Sequence, residues 1–391
     1  MSNSLHRSEI ARSAAGKLAA AALGSFPAII GFDGFVDAII AVVSQRRSMR
    51  GDDYQRIETI TGFAERCAAA AGKSTNIELV VHEERFGGNG PLMAGGLAQM
   101  GLATTYVGAV GRVDAPRILH PLYEELQRRC VASGGGVEPV APPAFTHALE
   151  FDDGKIMLGQ PGNIQQVTWN GLKAALGERA MIGRLANARL IGIVNWVMMG
   201  GVQDIFDGLT RDVFAAGGFK GRVFIDLCDP AKRTDSDVAA ALAALRRMAE
   251  HVPVTLGLNL AESERIGAVA GAGAYDGVQG HPTGAQIRTA AERVRAAIGV
   301  GCVVIHPREG AAAADASGAA WFDGPLVKKP KLSTGAGDHF NAGFAAGQVI
   351  GLSLEECLAL GCATSGAYVR DALSPTRERL VEFLRDLPGA E

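Results

Sequence analysis

The stretch Ser333-Thr334-Gly335-Ala336-Gly337-Asp338 sets two glycines and a carboxylate at the start of a segment with helical character. Glycine frees the backbone to turn successive amides one way, and amides gathered at a helix start make a site for anions. A carboxylate beside them is favoured in its ionised form by the same positive end, and it can take the proton of an attacking hydroxyl. Phosphoryl transfer needs both parts, because charge builds on the transferring oxygens while the nucleophile loses its proton. The expected pieces are an anion hole from the Gly335, Ala336 and Gly337 backbone and a general base at Asp338, followed by a helix from about His339 to Ile350. The same residues also suit an ordinary helix start with Asp338 as N-cap. They are not a dinucleotide fingerprint, since GxGxxG needs glycine where Phe340 stands.

Composition narrows the partners. With 391 residues, 48% hydrophobic and 20% charged, the chain can bury a large core in one big domain or two modest ones. A formal net charge of -3 leaves no positive excess for a phosphate backbone or an anionic lipid surface, so neither nucleic acid nor membrane is an expected partner. Six cysteines without a CxxC pair read as a reducing, cytoplasmic setting, and eight histidines without HExxH give no zinc site. Any metal is expected to arrive with a nucleotide. Gly72-Lys73-Ser74-Thr75 imitates the end of a P-loop, but Cys67 stands where glycine is required, and a helix precedes the stretch where a strand should.

Short β-branched runs recur between helical stretches at Ala28–Ile30, Thr104–Val110, Leu190–Val197, Val223–Leu227, Val252–Leu258 and Cys302–Ile305. Helices are expected at Pro116–Val131, Leu172–Leu185, Ser236–Glu250 and Ile287–Ile298, where apolar residues fall three and four apart. This alternation predicts an α/β fold with a mainly parallel sheet covered on both faces. Two regions break the rhythm. Phe145–Leu158 reads as a hairpin turning at Asp152-Asp153-Gly154, and strand-like Ala38–Val43 and Ile77–His82 flank a helical insert near Glu58–Ala71. Together they predict a small β lid from segments near 38–86 and 145–160. The Ala-rich stretch Ser8–Leu23, interrupted by Glu9, Arg12 and Lys17, reads as a helix rather than a leader or a span. The division is therefore an N-terminal helical extension over 1–26 and one catalytic domain over 27–391.

Thr334-Gly335-Ala336-Gly337-Asp338-His339-Phe340-Asn341-Ala342-Gly343-Phe344 resembles the C-terminal signature of the ribokinase-like (PfkB) carbohydrate kinases. Further segments follow that family's order: Gly31–Asp37 at the end of a first strand, Phe86-Gly87-Gly88-Asn89-Gly90 before a helix, the 145–158 hairpin, and Asn259-Leu260-Ala261-Glu262. Ordered co-occurrence is more specific than any one motif. The resemblance implies a three-layer fold and ATP-dependent phosphorylation of a sugar-type hydroxyl, with Asp338 as base. It implies substrate contacts at Asp37, Gly87, Gly88 and Asn89, and nucleotide contacts at Asn259, Thr334, Arg308 and Gly310. Mg²⁺ would meet Glu262 and Asn259 through water, and the lid would be a surface for homodimer formation. Asn259 and Glu262 also match a helix capping box. Asp33 is a weaker substrate candidate, Asp226 and Asp229 close another strand, and His339 reads as a packed first-turn histidine. The chain departs from the pattern at Leu92, Leu332 and the turn His306-Pro307-Arg308-Glu309-Gly310. Features shared with ADP-dependent sugar kinases keep ADP open as donor, and the departures keep open a non-catalytic regulator of the same fold.

Overall fold

A computed structural model describes residues 2–49, 51 and 53–389; positions 1, 50, 52, 390 and 391 lie outside the described residues. The strands in chain order are β1 Pro27–Phe32, β2 Phe35–Arg46, β3 Tyr54–Arg56, β4 Leu79–Gly87, β5 Ala103–Gly108, β6 Gly136–Pro139, β7 Ala144–Phe151, β8 Gly154–Gln160, β9 Leu190–Val194, β10 Arg222–Asp226, β11 Val254–Leu258, β12 Cys302–Ile305, β13 Gly310–Asp315 and β14 Gly318–Asp323. A nine-stranded sheet runs β14-β13-β12-β11-β10-β9-β1-β5-β6. It is parallel from β12 to β6, and β13 and β14 extend it antiparallel.

Burial on both faces explains the near-continuous apolar strands. Along β9, Ile191 and Ile193 pack toward helices that include Trp169–Leu176, Val202–Leu209 and Gly284–Ile298. Leu190 and Val194 pack toward Asn89–Met100, Ala336–Val349 and Leu354–Asp371. The period-two alternation thus divides one strand between two cores, and three layers result. The helix Ser2–Ala20 adds to the second core through Ala11, Ala14, Ala15 and Leu18, and Lys17 and Ser13 bond Glu356 at 2.7 and 2.6 Å.

Several expected boundaries move for local reasons. The periodic stretch 172–185 is two helices, Trp169–Leu176 and Glu178–Asn187, because Gly177 at φ +79° breaks the ladder between them. The stretch from Pro116 becomes helical only at Glu124, after a 3₁₀ turn that Pro121 opens. β9 stops at Val194, three residues short of the expected end, since Asn195 is left-handed at φ 64°. Asp37 does not end the first strand. Asp33 and Gly34 separate β1 from β2, and Asp37 is the third residue of β2.

A second, five-stranded sheet joins β3, β2, β7 and β8, with β4 paired on β2. Its own small core forms where Ile40, Val42, Leu149 and Phe151 meet Phe63 of the helix Ile60–Ala68. Opposite Asp37 stand Arg85 on β4 and Thr146 on β7, and Gly159 on β8 pairs with Thr146. Directly paired residues share one face, so these four make a row across the sheet.

Candidate active site

Adjacent parallel strands each release a polar residue at the carboxyl end: Asp33 after β1, Asn195 after β9, Asp226 closing β10, Asn259 after β11 and His306 after β12. This is the edge where ligands of open α/β sheets gather. The helix Ala336–Val349 and the loop before Asn89–Met100 bring the two glycine motifs to the same edge.

The helix begins at Ala336, three residues earlier than expected, with Gly335 as N-cap in a left-handed conformation, φ +87°. Only glycine takes that conformation without strain. Asp338 therefore does not cap the helix; it sits in the first turn, 5% exposed, and its Oδ1 accepts from Asn89 Nδ2 at 2.9 Å. The amide of Ala336 already donates to the Ser333 carbonyl at 3.2 Å, which removes it from the expected anion hole. Gly337 keeps a first-turn amide with no intrahelical acceptor.

Asp33, only a weaker candidate from sequence, organises the opposite wall. It is fully buried and accepts from the amides of Asn89 (2.9 Å) and Gly90 (2.8 Å) and from Asn195 Nδ2 (2.8 Å), while the Tyr106 hydroxyl donates to its carbonyl. The loop Gly87–Gly90 is thereby tied to β1 and β9, and Asn89 reaches Asp338. Gly87 lies against Asp37: a Cβ there would fall 2.1 Å from Asp37 Oδ2. Asp226 accepts from Asn341 Nδ2 at 2.7 Å and from the Cys228 amide at 2.7 Å.

Burial dominates the electrostatics. It pushes the Asp338 carboxyl well above its usual range, against the expectation that the helix start favours its ionised form; Asp226 and Asp33 add to the effect while Asn89 opposes it. Asp33 rises to about 6 by burial, held back by Asn195, Gly90 and Asn89. Glu262 rises to about 8 through burial and the charge of Asp226. Asp37 is raised by burial, with Thr146, Arg85 and Lys155 pulling the other way.

A cleft of about 300 Å³ is lined by Asn89, Asn195, Asp226, Glu262, Gly335–Asp338 and neighbours. It continues past Asn259, His306, Ser333, Ala336 and Gly337 into a cavity of about 570 Å³ walled by Pro307, Leu326, Val327, Phe340 and Val369. Arg308 and Gly310 line that second cavity; Thr334 is exposed and lines neither, its carbonyl accepting from Tyr368 Oη at 2.8 Å. Asn259 and Glu262 form the reciprocal capping box, at 2.7 and 2.9 Å, and both also line the cleft. Asp37, Gly87 and Gly88 stand beside the cleft on the small sheet and its loop rather than in its lining. Asn195 Oδ1 and His306 Nε2 are buried without a hydrogen-bond partner among the described residues, and both residues line the cleft. A larger, mostly apolar cavity of about 710 Å³ lies apart, between β1, β5 and the helices over 169–187.

The fold recurs in known proteins. Solved structures share the fold: a carbohydrate kinase of Agrobacterium tumefaciens (TM-score 0.62, 18% identical, 93% of this chain and 98% of that one) and an Arabidopsis thaliana ribokinase solved with ribose and ATP (0.60, 15%, 92% and 98%). A ketohexokinase of Haloferax volcanii is 29% identical over 358 residues, 91% of this chain and 90% of that protein. The sequence profile described as prokaryotic ketohexokinase matches residues 8–387. The fold, the ordered motifs and this match along nearly the whole chain agree: the protein belongs to the prokaryotic ketohexokinase family and is a ribokinase-like carbohydrate kinase.

Proposed function

We propose that this kinase transfers the terminal phosphoryl group of ATP to a hydroxyl of a ketohexose, with Asp338 taking the hydroxyl proton. The observation that carries the reading is the meeting at Asp338 of the glycine loop, through Asn89, and the first-turn amides of Ala336–Val349 in one cleft. The hydroxyl oxygen forms a bond to the terminal phosphorus, the bond from phosphorus to the bridging oxygen breaks, ADP leaves, and the proton passes to the Asp338 carboxylate. The amides of Gly335 and Gly337 face the charge on the transferring group. Asn195 Oδ1, which has no donor among the described residues, suits a sugar hydroxyl, and Asp37 with Thr146 and Arg85 supplies a polar wall from the small sheet. The apolar walls of the 570 Å³ cavity suit a planar base, with Arg308 and Gly310 beside it.

The cleft is rich in oxygen donors, with Asp226, Asp229, Glu262 and Asp338 against Lys232, and burial together with the charge of Asp226 raises the Glu262 carboxyl. Both fit a hard divalent cation such as Mg²⁺. Among the described residues no three His, Cys, Asp or Glu side chains converge to hold a metal, so Glu262 and Asn259 would meet the ion through water. Bound there with nucleotide, Mg²⁺ supplies neutralisation of phosphate charge.

The test is a product assay with ATP and ADP in parallel across ketohexoses, aldohexoses and pentoses. ATP-dependent phosphorylation fastest with a ketohexose such as fructose is expected. Transfer from ADP alone would replace the donor, and binding without transfer to any sugar would replace catalysis by a regulatory role.

Glu262 gives an independent check on the charge of the cleft. Its folded pKa of about 8 against an ordinary 4.5 means that the folded protein holds a proton the unfolded chain gives up. Stability from this group is complete below the ordinary value and is lost as pH rises through about 8. Glu262→Gln stays neutral and can keep the cap. Its Tm should match wild type near pH 5 and exceed it at alkaline pH by at least about 2–4 °C. Thermal melts across that range decide the point; a gap that does not grow with pH removes the charge argument.

A further inference from the structure

We propose that His339 is a positioning residue for phosphoryl transfer: Tyr368, on the Thr334 carbonyl, fixes the peptide plane that carries the Gly335 amide, and His339, on the Gly335 carbonyl, fixes the next plane and with it the helix start that presents the Gly337 amide. The proposal rests on the anion-hole reading above.

Gly335 starts the catalytic helix without any side chain to cap it, so nothing on its own side chain fixes the turn. The turn is held by its carbonyls instead. The Gly335 carbonyl accepts twice from His339, from the amide at 3.1 Å and from Nδ1 at 2.8 Å. The preceding carbonyl, of Thr334, accepts from Tyr368 Oη at 2.8 Å. The two donors brace each other: the rings stack with centroids 3.6 Å apart and planes 13° from parallel.

Chemistry assigns every proton in this clamp. A carbonyl only accepts, so Nδ1 of His339 carries hydrogen. Burial pushes the imidazole down to about 4, so the ring is neutral at physiological pH and Nε2 is bare. Nε2 must then accept from Ser374 Oγ, 2.9 Å away, and Ser374 Oγ accepts in turn from Arg129 Nη1 at 3.2 Å. Glu125 holds Arg129 through its Nε at 2.9 Å. A one-way chain of donors therefore runs from Arg129 through Ser374 and His339 to the Gly335 carbonyl, and aligned donors of this kind reinforce one another. Leu92, a departure from the family pattern, closes the other side: a Cβ on Gly335 would lie 3.0 Å from Leu92 Cδ1 and 3.0 Å from Tyr368 Oη. Three residues, His339, Tyr368 and Leu92, thus meet the turn.

Three substitutions separate aim from packing. His339→Phe keeps the stack and loses both ring hydrogen bonds; His339→Gln places its donor at the Nε2 position; His339→Asn keeps a donor near the Nδ1 position. Deleting an anion-hole donor costs on the order of 10²–10³ in kcat, so a hole that is misdirected rather than deleted should cost about ten- to hundredfold. That loss is expected in the Phe and Gln variants, with ketohexose KM within about twofold of wild type, because the acceptor wall is untouched. His339→Asn should recover about tenfold over His339→Gln even where its Tm is no higher. Tyr368→Phe, which removes one hydroxyl, gives a milder variant should the histidine changes fail to fold, and its kcat should fall without a matching fall in Tm. Wild-type kcat in His339→Phe or Tyr368→Phe, or kcat that follows Tm across the series, overturns the proposal. Asp338→Asn run alongside keeps the two ideas apart: if it turns over normally the site reading fails, and if it alone is inactive only the clamp fails.

Discussion

Asp338→Asn is expected to lower kcat by about 10²–10⁴ while the dissociation constant for ATP stays within about twofold. The substitution removes a proton acceptor and little else. The helix start survives because Gly335, not residue 338, is its N-cap, and an asparagine carbonyl can still accept from Asn89 Nδ2. Burial and the charges of Asp226 and Asp33 disfavour an ionised Asp338, so the neutral variant should melt at the same temperature as wild type or higher at neutral pH. Lost turnover beside undiminished stability is a signature that a structural role does not produce. Stopped-flow turnover, ATP titration and a thermal melt on the same preparation measure all three quantities. Wild-type turnover in the variant would remove Asp338 from the mechanism.

The largest effect on stability is expected at Asp33, which anchors the Gly87–Gly90 loop. Asp33→Ala strands three buried donors, the amides of Asn89 and Gly90 and the Asn195 amide group, and should cost roughly 2–5 kcal/mol. Asp33→Asn should fall between. Oδ2 of Asp33 serves both Asn89 and Asn195 whereas Oδ1 serves Gly90 alone, so an asparagine oxygen can keep the first two bonds while its amide faces the Gly90 N–H. Urea denaturation should rank wild type above Asn above Ala, and any Ala protein that remains folded should bind acceptor weakly because Asn89 has lost its anchor. Equal midpoints for all three would show that the loop holds itself.

Asp33 also shows where the sequence stops speaking. The glycine-rich turns, the hairpin at Asp152-Asp153-Gly154 and the strands 223–227 and 302–305 were readable because each carries a local signal: a turn residue, an alternation or an apolar run. Asn195 carries none. A single asparagine after Leu190–Val194 becomes notable only once β9 lies between β1 and β10, because sheet order brings it to Asp33. Asn341 and His306 stand inside motifs read from the sequence but were given no role for the same reason, though asking which polar residue follows each parallel strand would have raised Asn195 and His306. Asn259 and Glu262 were ambiguous for a different cause: one spacing serves a capping box and a cleft lining, and here the two coincide. The start of the helix at Ala336 was misplaced because a left-handed glycine cap and an ordinary loop glycine look alike in a sequence.

The row Arg85, Asp37, Thr146 and Gly159 has an implication for how such a kinase can change its diet. All four positions are defined by strand pairing, so their common face depends on register. An insertion of one residue early in β2 would swing Asp37 to the opposite face and put an apolar neighbour, Val36 or Ala38, into the row. With this row as the proposed acceptor wall, acceptor preference is open to drift by point substitution along it and closed to drift by length change. Libraries that seek new acceptors should vary positions 85 and 146 at fixed length, and natural relatives with altered acceptors should keep the spacing between Asp33 and Asp37.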